Sequence, residues 1–459
     1  MSQSRRHQQC RLGWGGALLL AFSTSVIAQT AAQSPMDRQS QDAFRQLLDQ
    51  PDDLSLWSKY AQLLVKAGNY EGGIAAMERL LLDPGTGPGV RLEVAALYFR
   101  LGSYAMAETM VRTALADSRL QGEQRALAAA LLADVMKRNE RSQLSGSLTF
   151  GLRHQTNPTY RTDRSEVFSA GVLVPVADGQ RPDADNDINL GLHIQHLYDL
   201  DLQNFASIAS SFGAAIVAYR SSSGSRIEAG SNRPQDLQVL DFTTGLQFKP
   251  FPGSVSGLTL RPHILLSNLV TQRHQFLYSH GVGLDLTWRP NERTLLAMTL
   301  DGQDRDFANR VDITDAKLLK GRLYGLRARV SREVVPGQVV TGEVALRRNR
   351  TERDFYDYNS QEVRMTYAFS YASPIAKGGW WTTAFWLGAL RRSYDAPDAV
   401  VSAIETREDR ELRFGVSHTV PITPAWSLIF MADHSRNSAN LPNYQYKNTS
   451  VSGAVVRSF

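Results

Sequence analysis

From about residue 143 to the end of the chain, apolar and polar positions alternate with a period of two. Ile188, Leu190, Leu192 and Ile194 alternate with Asn189, Gly191, His193 and Gln195. The same beat sets Val282, Leu284, Leu286 and Trp288 against Gly283, Asp285 and Thr287, and Leu412, Phe414 and Val416 against Glu411, Arg413, Gly415 and Ser417. Alternation of this kind puts one set of side chains on each face of a strand. The runs last about 10 to 14 residues, longer than the strands of most globular sheets. They predict about fourteen strands, starting near 143, 187, 207, 236, 256, 278, 293, 317, 337, 359, 379, 407, 424 and 446. Odd-numbered connections read as long (155–186, 221–235, 270–277, 306–316, 351–358, 394–406 and 438–445). Even ones read as tight turns, such as Arg289-Pro-Asn-Glu292 and Pro421-Ile-Thr-Pro424. An even strand count, long connections at one end only and a final Phe459 are the marks of an antiparallel transmembrane β-barrel of about 14 strands over 142–459. A soluble sandwich or solenoid is the alternative.

Before this region the period is helical, and two windows match at an offset of 34 residues. Trp57 and Ala61 lead to Gly68 and Tyr70, then to Ala76 and Leu80. Val94, Ala95 and Tyr98 lead to Gly102 and Tyr104, then to Ala107 and Ala114. That offset is the tetratricopeptide period. Glycine lets paired helices meet closely at their turn, and the tyrosine wedges between repeats. Further helices are expected near 37–49 and 122–139, capping a tetratricopeptide-like domain over 29–141. Ser58, Gln62, Lys66, Phe99 and Arg100 would line its groove, read either as a peptide-binding surface or as an ordinary solvated face.

The chain has 459 residues, 42% hydrophobic and 21% charged, which excludes a disordered protein. Its mean hydropathy of −0.28 comes without any apolar run of the roughly 20 residues that a membrane helix needs. A net charge of +5 without a dense Lys/Arg block gives no nucleic-acid footprint. Arg5, Arg6 and Arg11 precede the apolar stretch Gly13 to Ala28, which ends Val26-Ile27-Ala28. This is the layout of a secretory signal peptide over 1–28. The single cysteine, Cys10, precedes the apolar stretch, so the exported chain would contain none. The fold class is therefore α+β in two domains, N-terminal α-helical repeats in the periplasm and a barrel in a Gram-negative outer membrane.

The sequence holds little catalytic chemistry. His193 and His196 are three apart on a strand and point to opposite faces, so they cannot share a metal. Asp433 and His434 are adjacent and diverge for the same reason. Gly-Xaa-Ser-Xaa-Gly and phosphate-loop motifs are absent from the sequence. No enzyme activity, metal or cofactor is expected, and Gly281 and Gly283 read as room in a strand wall. Asp285, Arg289, Asp301, Arg327, Arg329, Glu343, Arg347, Arg364, Glu411 and Arg413 fall on the polar beat and so face the lumen, since Arg facing hydrocarbon at midplane costs about 2–4 kcal/mol. They form either an ion-pair lattice that stiffens the wall or a charged conduit. Trp288, Tyr324, Tyr371, Trp380, Trp381 and Trp386 are candidates for an outward aromatic girdle.

A leader, a short repeat domain and such a barrel together resemble the surface lipoprotein assembly modulators (Slam family). The likeness also rests on Leu144 to Pro158, a first strand running into an Asn-containing loop, and on Ser438 to Lys447 with Val456-Arg-Ser-Phe459, similar to that family's last hairpin. The family's Asp-Ser-Asn-type element is replaced here by Gln155-Thr-Asn157. The resemblance implies an outer-membrane translocon carrying a lipoprotein or secreted effector to the surface. Its partners would be an exported protein client or periplasmic chaperone, the barrel assembly machinery and outer-membrane lipids. An exopolysaccharide export porin and a general diffusion or structural barrel are the rival readings.

Overall fold

The computed structural model describes residues 35–459, except 203, 223–232, 256, 272–273, 311–313 and 376–378; for 35–38 only the backbone is considered. The leader expected at 1–28, with Cys10, lies outside the described residues. The described chain forms two compact units, a helical one ending at Gln143 and a β unit beginning at Leu144.

The helical unit holds α1 (Pro35–Asp49), α2 (Leu54–Lys66), α3 (Tyr70–Leu80), α4 (Pro88–Arg100), α5 (Tyr104–Ala116) and α6 (Gly122–Asn139). Local chemistry sets the ends. The Asp53 carboxylate accepts from the Ser55 and Leu56 N–H groups, Asn69 caps α3 by accepting from Gly72, and Pro88 opens α4. α2 and α4 stop in the same way. Gly68 and Gly102 take positive φ (+81° and +77°), and the following residues Asn69 and Ser103 donate back to the carbonyls of Leu64 and Tyr98, each at 2.9 Å. One period apart, Arg119 reaches from the loop after α5 to the carbonyls of Gly85 and Thr86 in the loop after α3 (3.3 and 3.1 Å). Ala61, Leu64, Ile74, Met77, Val94 and Leu97 form one apolar core; Ala95, Val111, Leu120 and Ala128 form another. α4 contributes to both, which is why it carries no one-sided apolar stripe. Tyr98 donates to Glu78 at 2.6 Å, a bond that, with burial, pushes the phenol up to about 12.

The β unit contains β1 (Ser142–Gln155), β2 (Glu166–Ser169), β3 (Val172–Pro175), β4 (Asp185–Asp199), β5 (Ser207–Tyr219), β6 (Leu237–Gln247), β7 (Leu258–Thr271) and β8 (His274–Asn291). It continues with β9 (Thr294–Phe307), β10 (Gly321–Val335), β11 (Gln338–Thr351), β12 (Tyr358–Ala372), β13 (Trp380–Tyr394), β14 (Glu408–Pro421), β15 (Trp426–Ala439) and β16 (Tyr446–Ser458). β1 and β4–β16 close into a 14-strand antiparallel barrel, with β1 paired to β16. β2 and β3 form a separate hairpin inside the first connection. The fourteen barrel strands begin within about four residues of where the alternation placed them.

Side-chain parity sorts cleanly. Leu148, Phe150 and Leu152, Ile188 and Leu190, Val282 and Leu284, Phe385 and Leu387, and Leu412 and Phe414 are exposed apolar residues on the outer wall. Such a band on a closed sheet suits hydrocarbon, where every backbone group must be bonded within the protein. Two expectations need correction. The connection expected at 270–277 is mostly strand: β7 and β8 leave only 272–273 between them, because Leu269, Phe276 and Leu277 bury against Phe307 and Ala316 and hold the pair together. Trp380 and Trp386 are not on the girdle face. Both share parity with the buried Gly388 and Leu390, and Trp386 pairs with the inward Thr366 and lies inside under the Arg364 guanidinium at 4.5 Å.

Gly68 has open space where a β-carbon would sit, so a substitution there meets only backbone strain. Gly68→Ala should therefore lower the stability of the α2–α3 hairpin by about 1–2 kcal/mol. Hydrogen exchange of the full-length chain would report faster exchange in α2 and α3 with unchanged protection in the barrel strands.

Candidate functional site: the lumen and its loop plug

The barrel interior has two unlike halves. Towards the short connections, inward residues remain accessible to water; Arg327 and Arg329 keep 40% and 48% of their side-chain surface, and His193, Gln195 and Arg364 are exposed. Towards the long connections, inward residues are buried: Gln155, Asp187, Tyr219, Thr271, Phe307, Leu323, Asn349, Glu362, Asp409, Glu411, Asn437 and Asn448. The lumen is a cup, open at one end and filled at the other.

Its charges are arranged by wall. Arg305, Arg327, Arg329, Arg347 and Arg364 project from β9–β12, with Asp301, Glu343 and Glu362 among them. β10 lies seven strands from β1 in the ring, so this basic wall faces β16, β1, β4 and β5. There the lining is small: Ser147, Thr149, Gly191, Gly213 and Ala215, with His193 and Asp241, border a recess of about 230 Å³, which Leu192 and Ala214 complete. Long side chains thus reach in from one wall, and free space lies along the other.

The expected lumen residues occupy the following places. Glu343 accepts from Arg329 at 2.7 Å and lies 3.8 Å from Arg327. Glu411 pairs with Arg413 at 2.7 Å and accepts from Tyr446 at 2.7 Å. Asp285 gathers Arg261 (3.0 Å), Thr299 (2.7 Å) and His263 (3.3 Å). Gly283 makes this possible, because a β-carbon there would lie 2.6 Å from His263 Cε1. Asp301 accepts from Gln303 at 2.8 Å. Arg347 is half-buried on β11, opposite the buried Ser360 of β12. Arg364 stacks on Trp386, and Arg289 is exposed at the short-connection end of β8. Phe459 bonds Gly146 through both backbone groups at 3.0 Å, extending the β1–β16 pairing by one residue.

The filled half is built by loops that the alternation marks only as connections. Asn157, 1% exposed, joins the two ends of the sheet: its amide donates to the carbonyls of Arg161 (2.8 Å) and Lys447 (3.0 Å), and its N–H donates to Asn448 (2.9 Å). Tyr160 follows at positive φ (51°) and packs edge-on against Tyr446 at 5.1 Å. Burial pushes its phenol up, with Arg413 nearby opposing the shift. The β2–β3 hairpin is tied to Asn443 and to the carbonyls of Val400 and Val401. At the hub, Arg407 makes a two-pronged contact with Asp409 (2.9 and 2.6 Å) and lies 3.5 Å from the Tyr444 ring centroid. Tyr356 in the loop between β11 and β12 is pushed up to about 12, chiefly by burial. Asn157 just after β1, and Asn437, Asn440, Asn443 and Asn448 around the last connection, are the sequence signal for this plug. The pairing across some 290 residues is what sequence could not supply.

In the helical unit, Trp57 donates to the Pro51 carbonyl at 2.8 Å, Arg100 lies over Tyr70 at 4.3 Å, and Ala107 is fully buried. Phe99 packs on Tyr104 and is covered by Arg138 of α6 at 5.1 Å, so it and Arg100 point to different neighbours. Ser58, Gln62 and Lys66 share one face of α2, the first half-buried and the others exposed. Asp433 accepts from Ser450 inside the barrel, while His434 meets Thr449 outside, so the two do not form a relay. Among the described residues there is no group of three or more His, Cys, Asp or Glu placed to hold a metal.

No family model matches the chain, and no curated protein matches it in sequence. Solved structures do. The TodX monoaromatic hydrocarbon channel aligns at 10% identity over 71% of this chain and 91% of its own, with a TM-score of 0.36. The outer membrane channel DcaP of Acinetobacter baumannii aligns at 9% identity over 69% and 97%, also at 0.36. A bacterial polysaccharide outer membrane secretin aligns at 8% identity over 68% and 98%, at 0.34. Identities and scores this low say nothing about substrate or partner.

Removing the hub should loosen the plug without opening the barrel. Arg407→Ala removes the two-pronged partner of the buried Asp409 carboxylate, a loss of about 3–5 kcal/mol for a broken buried pair. Protease should then cut within 156–184, 395–407 and 440–445 in folded protein. The barrel should still run as the folded, heat-modifiable band on electrophoresis.

Proposed function

We propose that the chain is an outer-membrane conduit that moves a protein client, a lipoprotein or secreted effector, from the periplasm to the cell surface. The observation that carries this reading is the cup: a water-accessible half lined by charge at the short-connection end, and a far half stopped by loops. Those loops are held by hydrogen bonds, the buried Arg407–Asp409 pair and a small apolar cluster of Ala439, Leu441 and Tyr444 with Phe168 and Val401, and most of these contacts are polar ones that can be exchanged for others.

Two further features support a protein client. The helical unit precedes β1, whose first residue lies at the short-connection end, and its tetratricopeptide-like hairpins present the exposed face of Gln62 and Lys66 to a client segment or chaperone. The lumen mixes signs, Arg327 and Arg329 with Glu343, Arg413 with Glu411, which suits a chain carrying both charges better than a uniformly anionic polymer. Gln155, Thr156 and Asn157, which depart from the Slam family's Asp-Ser-Asn-type element, stitch β1 to β16 at the plug.

The test is surface exposure of co-expressed candidate lipoproteins in cells with the full gene, without it, or lacking residues 37–141, scored by protease shaving of intact cells. Exposure should require the full chain and fall at least tenfold in either deletion, at constant total client level. Unchanged protein exposure with reduced secreted polysaccharide would move the assignment to a polysaccharide export porin. No change in either would leave a diffusion or structural barrel.

A further inference from the structure

Most outward-facing charges at the loop end of the barrel are matched. Arg322 pairs with Asp304 at 3.0 Å, and Arg348 and Arg350 share Asp395 at 2.6 and 3.0 Å. On β4–β7 the outward positions Asn186, Ala218, Gln238 and Val270 carry no charge, and Arg220, opposite Asn186, is a cation without a like charge across from it. The four adjacent strands β13–β16 depart from this pattern. Arg391 and Arg410 are direct cross-strand partners, and so are Arg436 and Lys447. Like charges placed directly opposite on a sheet destabilise it. Glu408 is shared between Arg391 and Arg410 at 3.4 and 3.9 Å, and Asp163 meets Lys447 at 3.2 Å. Arg436 has no ion-pair or hydrogen-bond partner among the described residues.

The patch also has a defined setting. Arg410 is followed on the same face of β14 by Leu412 and Phe414, and Lys447 on β16 by Val451 and Val455, all exposed on the outer wall. Arg391 lies beyond Leu387 and Phe385 on β13. The four cations therefore stand along the upper edge of the apolar band and span three strand spacings, about 14 Å.

We infer that this edge binds the phosphorylated headgroup of an outer-leaflet lipid, with the acyl chains of the same molecule lying on the apolar band below. Guanidinium groups favour phosphate through paired, charge-assisted hydrogen bonds. A phosphate between Arg391 and Arg410, and another near Arg436 and Lys447, relieves both like-charge pairs. Free phosphate supplies the charge but not the chains, and only an amphiphile uses the cations and the band together. The inference rests on the barrel lying in the outer membrane with its long loops outward.

The test uses the purified full-length protein in detergent, with bound lipid read by native mass spectrometry. The probes are diphosphorylated lipid A, the same lipid stripped of phosphate, and inorganic phosphate. Wild type should retain the diphosphorylated lipid, and R391Q/R410Q/R436Q should bind it at least tenfold more weakly. Arg332→Gln, exposed on the outer wall near the opposite end of β10, should bind as wild type does. Heat-modifiable mobility checks that each variant is folded. Binding by the triple variant within twofold of wild type, equal retention of the stripped lipid, or saturation of the patch by inorganic phosphate alone would each overturn the inference. Density-gradient fractionation of cell membranes separates this result from the placement: co-migration with the inner membrane would overturn the placement itself. Lipid binding without client export would keep the inference and remove the conduit.

Discussion

A strand in hydrocarbon has no water to bond its peptide groups, so both of its edges must be paired. For this chain the requirement is met only when β1 finds β16, across almost the whole length of the β unit. Everything else about the barrel follows from that closure. Once the sheet is a ring, each residue faces either lipid or lumen, and the cost of Arg in lipid leaves the lumen as the place for Arg305, Arg327, Arg329, Arg347 and Arg364. The same closure brings the first and last connections side by side, which lets Asn157 reach the backbone of Lys447.

The two halves of the lumen are products of different physics. At the short-connection end, charged residues such as Arg329 and Glu343 pair in contact with water, where their mutual attraction is screened and their side chains keep freedom. At the loop end, Arg407 and Asp409 are withdrawn from water and hold each other with two short bonds, while the Tyr394 and Tyr444 rings flank the guanidinium. The first arrangement can rearrange around a guest. The second is all-or-none, since its desolvated charges tolerate no partial loss of partners.

Much of the fold was legible in the sequence because two periods carry it. Period two fixed the strands, their approximate starts and which residues share a face, as at Glu343 and Arg364. The 34-residue offset marked the turns at Gly68 and Gly102, since only a glycine readily takes positive φ there. Trp380 and Trp386 face inward because parity, not residue type, sets the face of a strand residue. β7 and β8 run to Thr271 and from His274 because tertiary burial of Phe276 and Leu277 extends them into a stretch that reads as polar. Within the candidate site the lumen residues were nameable but the plug was not. Its contacts join residues far apart in sequence, and no local pattern records which loop meets which.

The stitch made by Gln155, Thr156 and Asn157 also couples the wall to the plug. Its partners Asn448 and Thr449 belong to β16, the strand that closes the ring against β1. Parting β1 from β16 at the loop end would break these bonds along with the ladder, while the first long loop would keep its backbone hold on Val400 and Val401, between β13 and β14. The seam of the wall is therefore also a fastening of the door.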